Sequence, residues 1–136
     1  KQWKTFLFKR VFEMMIFGDD RFEYEKFFKI TNIEELKKTK SNSTVLLMQE
    51  DLQLQKYLSK NNIAYAIEIK SIKSAVYANN LKASYIICDF ELAKDIQKIA
   101  ENYLFDAKIL AIVSSESEIE KIANNFIDGA IYLENV

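Results

Sequence analysis

Tyr85-Ile86-Ile87-Cys88-Asp89, followed by Phe90-Glu91-Leu92-Ala93-Lys94-Asp95-Ile96-Gln97-Lys98-Ile99-Ala100-Glu101-Asn102-Tyr103 and then by Ile109-Leu110-Ala111-Ile112-Val113, is the stretch that decides the fold. Its two ends are short, nearly continuous apolar runs, the composition of strands buried on both faces. Its middle places Leu92, Ile96, Ile99, Ala100 and Tyr103 on one side of a helix. Strand, helix, strand in that order is the unit of a parallel sheet joined by a right-handed crossover.

The same alternation extends outward. Strands are predicted at 44–49, 64–69, 84–88, 108–113 and 130–134, and helices at 33–38, 51–60, 71–80, 91–104 and 117–125. Thr31 or Asn32 can cap the first of these helices, with Glu34 and Glu35 in its first turn. Asn32-Ile33-Glu34-Glu35-Leu36, Ser71-Ile72-Lys73-Ser74-Ala75 and Ser117-Glu118-Ile119-Glu120-Lys121 echo one another, a faint internal repeat. The expected fold is α/β: three-layer, Rossmann-like or flavodoxin-like, with a mostly parallel five- or six-stranded sheet and an extra N-terminal helix. A closed eight-stranded barrel needs about 200 residues or more, and this chain has 136.

The N-terminal helix is predicted over 2–17, where Trp3, Leu7, Val11 and Met14 form one stripe and Phe8, Phe12 and Ile16 a second, until Gly18-Asp19-Asp20 stops it. Phe27-Phe28-Lys29-Ile30 suits a first strand. Residues 1–30 therefore read as a helical arm and 31–136 as the α/β domain. A helix apolar around so much of its surface must be covered. Trp3, Phe8, Phe12 and Met15 are its expected contacts, with the chain's own sheet, a second copy in a homodimer, or a protein partner. Lys1, Lys4, Lys9 and Arg10 against Glu13 give the first 17 residues a charge of +3, which also suits contact with a membrane surface.

Composition excludes much chemistry. The absence of histidine removes the usual general base and the commonest metal ligand. Two glycines, Gly18 and Gly129, make no phosphate-cradling loop. A net charge of −1 does not predict a nucleic-acid partner. One cysteine allows no intrachain disulfide, so a reducing cytoplasm is expected, and the Lys, Ile, Asn, Phe and Tyr bias suits an AT-rich bacterial genome. Cys88, inside an apolar strand, reads as a buried small hydrophobe, and Asp128-Gly129 as a turn.

The strand ends carry the remaining candidates, because ligands of open parallel sheets bind at the carboxyl ends of the strands. Glu50, Asp51, Asp89 and Ser114 (or Ser115) follow three of the strands. If those strands are neighbours, their oxygens converge and can hold Mg²⁺. The arrangement resembles that of response-regulator receiver domains, which implies a metal held by Glu50 and Asp51 and a phospho-accepting Asp89. Receivers also carry a lysine at the end of their last strand, where this chain has Tyr132-Leu133-Glu134, and Asp89 lacks the Met-Pro that usually follows. Asp51 and Asp89 equally suit caps for the helices after them. Glu68-Ile69-Lys70 matches the Glu-x-Lys pair of PD-(D/E)xK nucleases, whose metal would need a further acid such as Glu50 or Asp51. The missing chemistry favours a non-catalytic binding, regulatory or interaction module over either enzyme-like reading.

Overall fold

The computed structural model describes residues 13–136. They form a parallel sheet of seven strands: β1 (Met15–Phe17), β2 (Phe27–Lys29), β3 (Thr44–Leu47), β4 (Tyr65–Glu68), β5 (Tyr85–Cys88), β6 (Lys108–Ile112) and β7 (Gly129–Ile131). Four α-helices supply crossovers: α1 (Leu52–Lys60), α2 (Ile72–Asn80), α3 (Phe90–Asn102) and α4 (Ile119–Asn124). A 3₁₀ turn over Ile33–Lys38 joins β2 to β3. The α/β class and the parallel sheet flanked by helices are as the sequence indicates, and consistent with Rossmann-like and flavodoxin-like folds.

Two expectations at the edges of the sheet are corrected. The sheet has seven strands rather than five or six, because Met15–Phe17 joins it at one edge, opposite the edge formed by the expected first strand, Phe27–Lys29. And Met15-Ile16-Phe17, expected to end a helix, is a strand. Met15 N–H donates to the Asp128 carbonyl (3.0 Å), and the Phe17 carbonyl accepts from Tyr132 N–H (2.9 Å). A run of apolar residues satisfies helical and extended periodicity alike, and the partner strand β7 lies more than a hundred residues away in sequence. Residues 2–12 of the expected helix, with Trp3, Phe8 and Phe12, lie outside the described residues.

Strand order is β1-β7-β6-β5-β4-β3-β2. From β2 to β7 each strand lies beside its successor, with no reversal. Right-handed crossovers between strands laid down in one direction all fall on one face of the sheet. Side chains bear this out through the two-residue period. Val45, Leu47, Tyr65, Ile67, Ile86, Cys88, Ile109 and Ala111 face a helix-covered core with Leu54, Leu58, Ala75, Ala93, Ile96 and Ile122. Their neighbours Leu46, Ala66, Ile87, Leu110 and Ile131 face a second cluster, to which no α-helix among the described residues contributes. The expected three-layer arrangement is corrected too: the helices cover one face of the sheet, because no reversal of strand order sends a crossover to the other.

That second face is buried because the sheet curls on itself. β1 and β2 are opposite edges, yet Phe17 and Phe27 stack at 5.4 Å, and Tyr85 from the middle of the sheet meets both rings at 5.2 and 5.5 Å. The result is a barrel-like curl with one seam, between β1 and β2. Gly18 follows β1 at φ +87°, and a Cβ there would lie 2.6 Å from the Tyr132 carbonyl oxygen, so only glycine lets the chain turn off β1 this close to β7.

All four helices end in the same way. Asn62, Lys82, Leu104 and Phe126 adopt left-handed backbone, with φ of 55°, 65°, 53° and 57°. The next residue's N–H then donates back to the last helical turn: Ile63 to Leu58 (2.9 Å), Ala83 to Ala78 (3.0 Å), Phe105 to Ala100 (2.8 Å) and Ile127 to Ile122 (3.3 Å). This is the Schellman motif, which satisfies carbonyls left unpaired at a helix end. Asparagine amides reinforce three of the ends, Asn61, Asn80 and Asn125 each donating to the carbonyl four residues back at 2.7 to 2.8 Å.

Candidate functional site

At the carboxyl ends of the strands, the acidic residues act mainly on their own chain. Asp51 Oδ1 accepts from Leu54 N–H (3.1 Å) and Asp89 Oδ1 from Leu92 N–H (2.9 Å), so each caps the helix that follows. Ser71 caps α2 through Ser74 N–H (3.1 Å). Ser114 donates its N–H to Glu118 Oε2 (2.6 Å), which holds the Glu118 carboxyl below its ordinary range. Glu50 is exposed.

Strand order decides which of these meet. β5 and β6 are neighbours, which brings the Asp89 and Ser114 turns to the same part of the rim. β4 separates β3 from β5, so Glu50 and Asp51 stand one strand removed from Asp89. Among the described residues no group of three or more acidic or cysteine side chains is placed to share a metal ion.

The residue that intervenes is Glu68. It lies on the inner face of β4, opposite Ile87, and accepts from Lys70 Nζ at 2.8 Å. The Lys70 ammonium is raised from its ordinary pKa by the Glu68 hydrogen bond, with Asp89 adding to the field. Both nuclease candidates are therefore adjacent, as an ion pair between a largely buried Glu68 and an exposed Lys70 that is held in its charged form. Cys88, on the helix side of β5, has its thiol pushed up to about 12, chiefly by burial. That is an unreactive environment.

One cluster on this rim carried no motif. After β1 the chain runs Asp19-Asp20-Arg21, and Arg21 reaches back to Asp19 with Nε (3.0 Å) and Nη2 (2.7 Å). Its Nη2 also donates to Glu116 beyond β6. Arg21 thus clasps the β1 and β6 ends over β7, and its hydrogen bonds hold the Asp19 carboxyl below the ordinary range. The sequence contained the residues, but the neighbourhood of β1 and β6 depends on strand order.

The amino ends of the strands are different in character. Inside the curl, Glu25 closes the aromatic layer, accepting from Tyr85 Oη (2.8 Å) and from Thr44 Oγ1. Beside it a cleft of about 670 Å³ runs along β1, walled by Met15, Phe17, Phe22, Tyr24 and Lys108. Outside the sheet, between the ends of α3 and α4, a second cleft of about 510 Å³ is lined by Met14, Ala100, Leu104, Phe105, Phe126 and Ile127. Around it Tyr103, Leu104 and Phe126 are 77 %, 84 % and 81 % exposed.

Leu104 and Phe126 are notable for their backbone as well. Left-handed conformation costs a side-chain-bearing residue roughly 1–2 kcal/mol. At the equivalent ends of α1 and α2 the residue is Asn62 or Lys82. Here two large apolar residues carry that strain while contributing little to the core. Sequence reading missed them because nothing in the sequence marks a left-handed position except glycine or asparagine, and both are absent there.

No known protein-family model matches the sequence, and no curated protein matches it.

Proposed function

We propose that this chain is a non-catalytic protein-interaction module, working in a reducing, cytoplasmic setting, whose binding surface is the apolar face around Tyr103, Leu104 and Phe126. The observation that carries the reading is the pairing of strain with exposure at Leu104 and Phe126. The helix-end motif imposes left-handed backbone at all four ends, but only at these two is the strained position filled by a large, exposed apolar residue, and clustered exposed apolar side chains mark protein contacts. The employment of Asp51 and Asp89 as helix caps supports the same reading, since it accounts for both acids without chemistry. The buried, unreactive Cys88 suits the compartment.

The competing reading is a degenerate receiver that takes phosphate on Asp89 with Mg²⁺ at the carboxyl-end rim. Incubation of the full chain with acetyl phosphate and Mg²⁺ separates the two. The intact mass is expected to stay unchanged; a phosphoryl adduct that disappears in Asp89→Asn would overturn the non-catalytic reading.

A further inference from the structure

Each α-helical crossover buries at least one residue, Leu54, Ala75, Ala93 and Ile122 among them. The crossover from β2 to β3 does not. Its 3₁₀ turn over Ile33–Lys38 is wound more tightly than an α-helix and buries none of its six residues. The outer layer is therefore thin there, and a groove runs between the turn and α1. Two clefts follow it. One of about 520 Å³ is walled by Ile33 on the turn and Tyr57 on α1, above the buried Leu54. The other, of about 480 Å³, lies where both elements end, over Leu36 and Ile63, which pack on the core. Ile33 and Tyr57 are 41 % and 39 % exposed.

We propose that this groove binds an acidic amphipathic helix of a protein partner, laid along α1 with its apolar stripe on Ile33 and Tyr57. The nine residues of α1 span about 14 Å, so the contact is two to three turns long. Charge sets the sign of the partner. Lys40, Lys56 and Lys60 line the two clefts against Asp51 alone, and Asp51 is engaged as the cap of α1. The charges of the turn itself cancel, Glu34 and Glu35 at its start against Lys37 and Lys38 at its end. Lys40, Lys56 and Lys60 are exposed, and among the described residues none of them forms an ion pair. Unpaired cations beside apolar walls match a helix whose carboxylates flank an apolar stripe, the helix-in-groove mode of recognition. A single-stranded nucleic acid would call for a run of aromatic stacking platforms, and Tyr57 is the one aromatic side chain here. The groove is distinct from the surface around Leu104 and Phe126, at the ends of α3 and α4, and the proposal does not rest on that surface.

The probe is a short fluorescein-labelled synthetic helix with leucines at helical spacing on one face and glutamates elsewhere. Fluorescence anisotropy with the full chain is expected to show saturable binding. Lys56→Glu/Lys60→Glu is expected to weaken it about tenfold or more, and to bind instead the same peptide with lysine in place of glutamate. Tyr57→Gln is expected to weaken binding without reversing the charge preference. These positions are exposed, so the far-ultraviolet circular dichroism should stay that of the parent. Phe126→Asn is expected to bind the probe as the parent does. No saturable binding of the glutamate peptide overturns the proposal. So does equal binding of a peptide of the same composition with its leucines scattered around the helix, or of single-stranded DNA, either of which would show that the lysines attract any polyanion. Binding lost in Phe126→Asn but kept in Lys56→Glu/Lys60→Glu would place the helix on the other surface and also overturn it.

Discussion

Replacing Leu104 and Phe126 by glycine should make this protein more stable. Both residues hold left-handed backbone, with φ of 53° and 57°. Relief of that conformation returns roughly 1–2 kcal/mol per site. Glycine gives back about 0.5–1 kcal/mol through its greater freedom in the unfolded chain. At 81–84 % exposure the side chains shed little burial, a few tenths of the ~1.5–3 kcal/mol of a fully buried one. The net is about 0.5 kcal/mol per site and about 1 kcal/mol for the pair, less any coupling across the cleft they share. In a chain of this length that raises Tm by about 2–5 °C. Urea unfolding followed by circular dichroism is the assay, and the midpoint should rise with an unchanged slope. Lys82→Gly, at the equivalent polar position, should gain a similar amount, and Asn62→Gly less, since asparagine tolerates this backbone. A fall in the midpoint for the double glycine variant would refute the reasoning. It would mean that Leu104 and Phe126 pack within the fold and are not held for a partner.

Other outcomes follow from the same geometry. Asp51→Ala, Asp89→Ala and Ser71→Ala should each cost about 1 kcal/mol in urea unfolding, and Asp89→Asn much less, as for caps; an Asp89→Ala variant as stable as the parent would remove the capping account. Gly18→Ala should destabilise by about 2 kcal/mol or more, because a Cβ 2.6 Å from the Tyr132 carbonyl must push β1 away from β7; thermal unfolding tests this, and an unchanged Tm contradicts it. The Arg21 clasp depresses the Asp19 pKa from 3.8. Its stabilisation is thus present above about pH 4 and lost as the pH falls through the depressed value. In Arg21→Gln the Asp19 carboxyl resonance should titrate near the ordinary value, and high salt should weaken the effect in the parent because the pair is exposed. An Asp19 titration unaltered by Arg21→Gln would break the assignment.

Much of the fold was readable because it is built from local signals. The strands at 44–47, 65–68, 85–88 and 108–112 and the helices between them announce themselves as apolar runs and helical stripes, and Asn32, Asp51 and Asp89 as caps, whereas the Ser71 cap did not stand out. β1 escaped this reading: Met15-Ile16-Phe17 is three residues long and becomes a strand only because β7 offers it an edge. The carboxyl-end residues were found individually, but whether they meet was not readable. Asp89 and Ser114 share part of a rim while Asp51 stands a strand away, and that follows from order, not from spacing.

The sequence by itself determined the class: parallel strands, covering helices, and a list of chemistries that its missing histidines and glycine loops exclude. These depend on composition and on periods of two and 3.6 residues, which are properties of neighbouring residues. The tertiary structure alone decided the rest. It laid β2 to β7 side by side without reversal, curled the sheet until Phe17 met Phe27, and left Leu104 and Phe126 strained and exposed at one end. Those outcomes depend on long-range pairing and on how the chain satisfies its helix ends, and no local pattern encodes either.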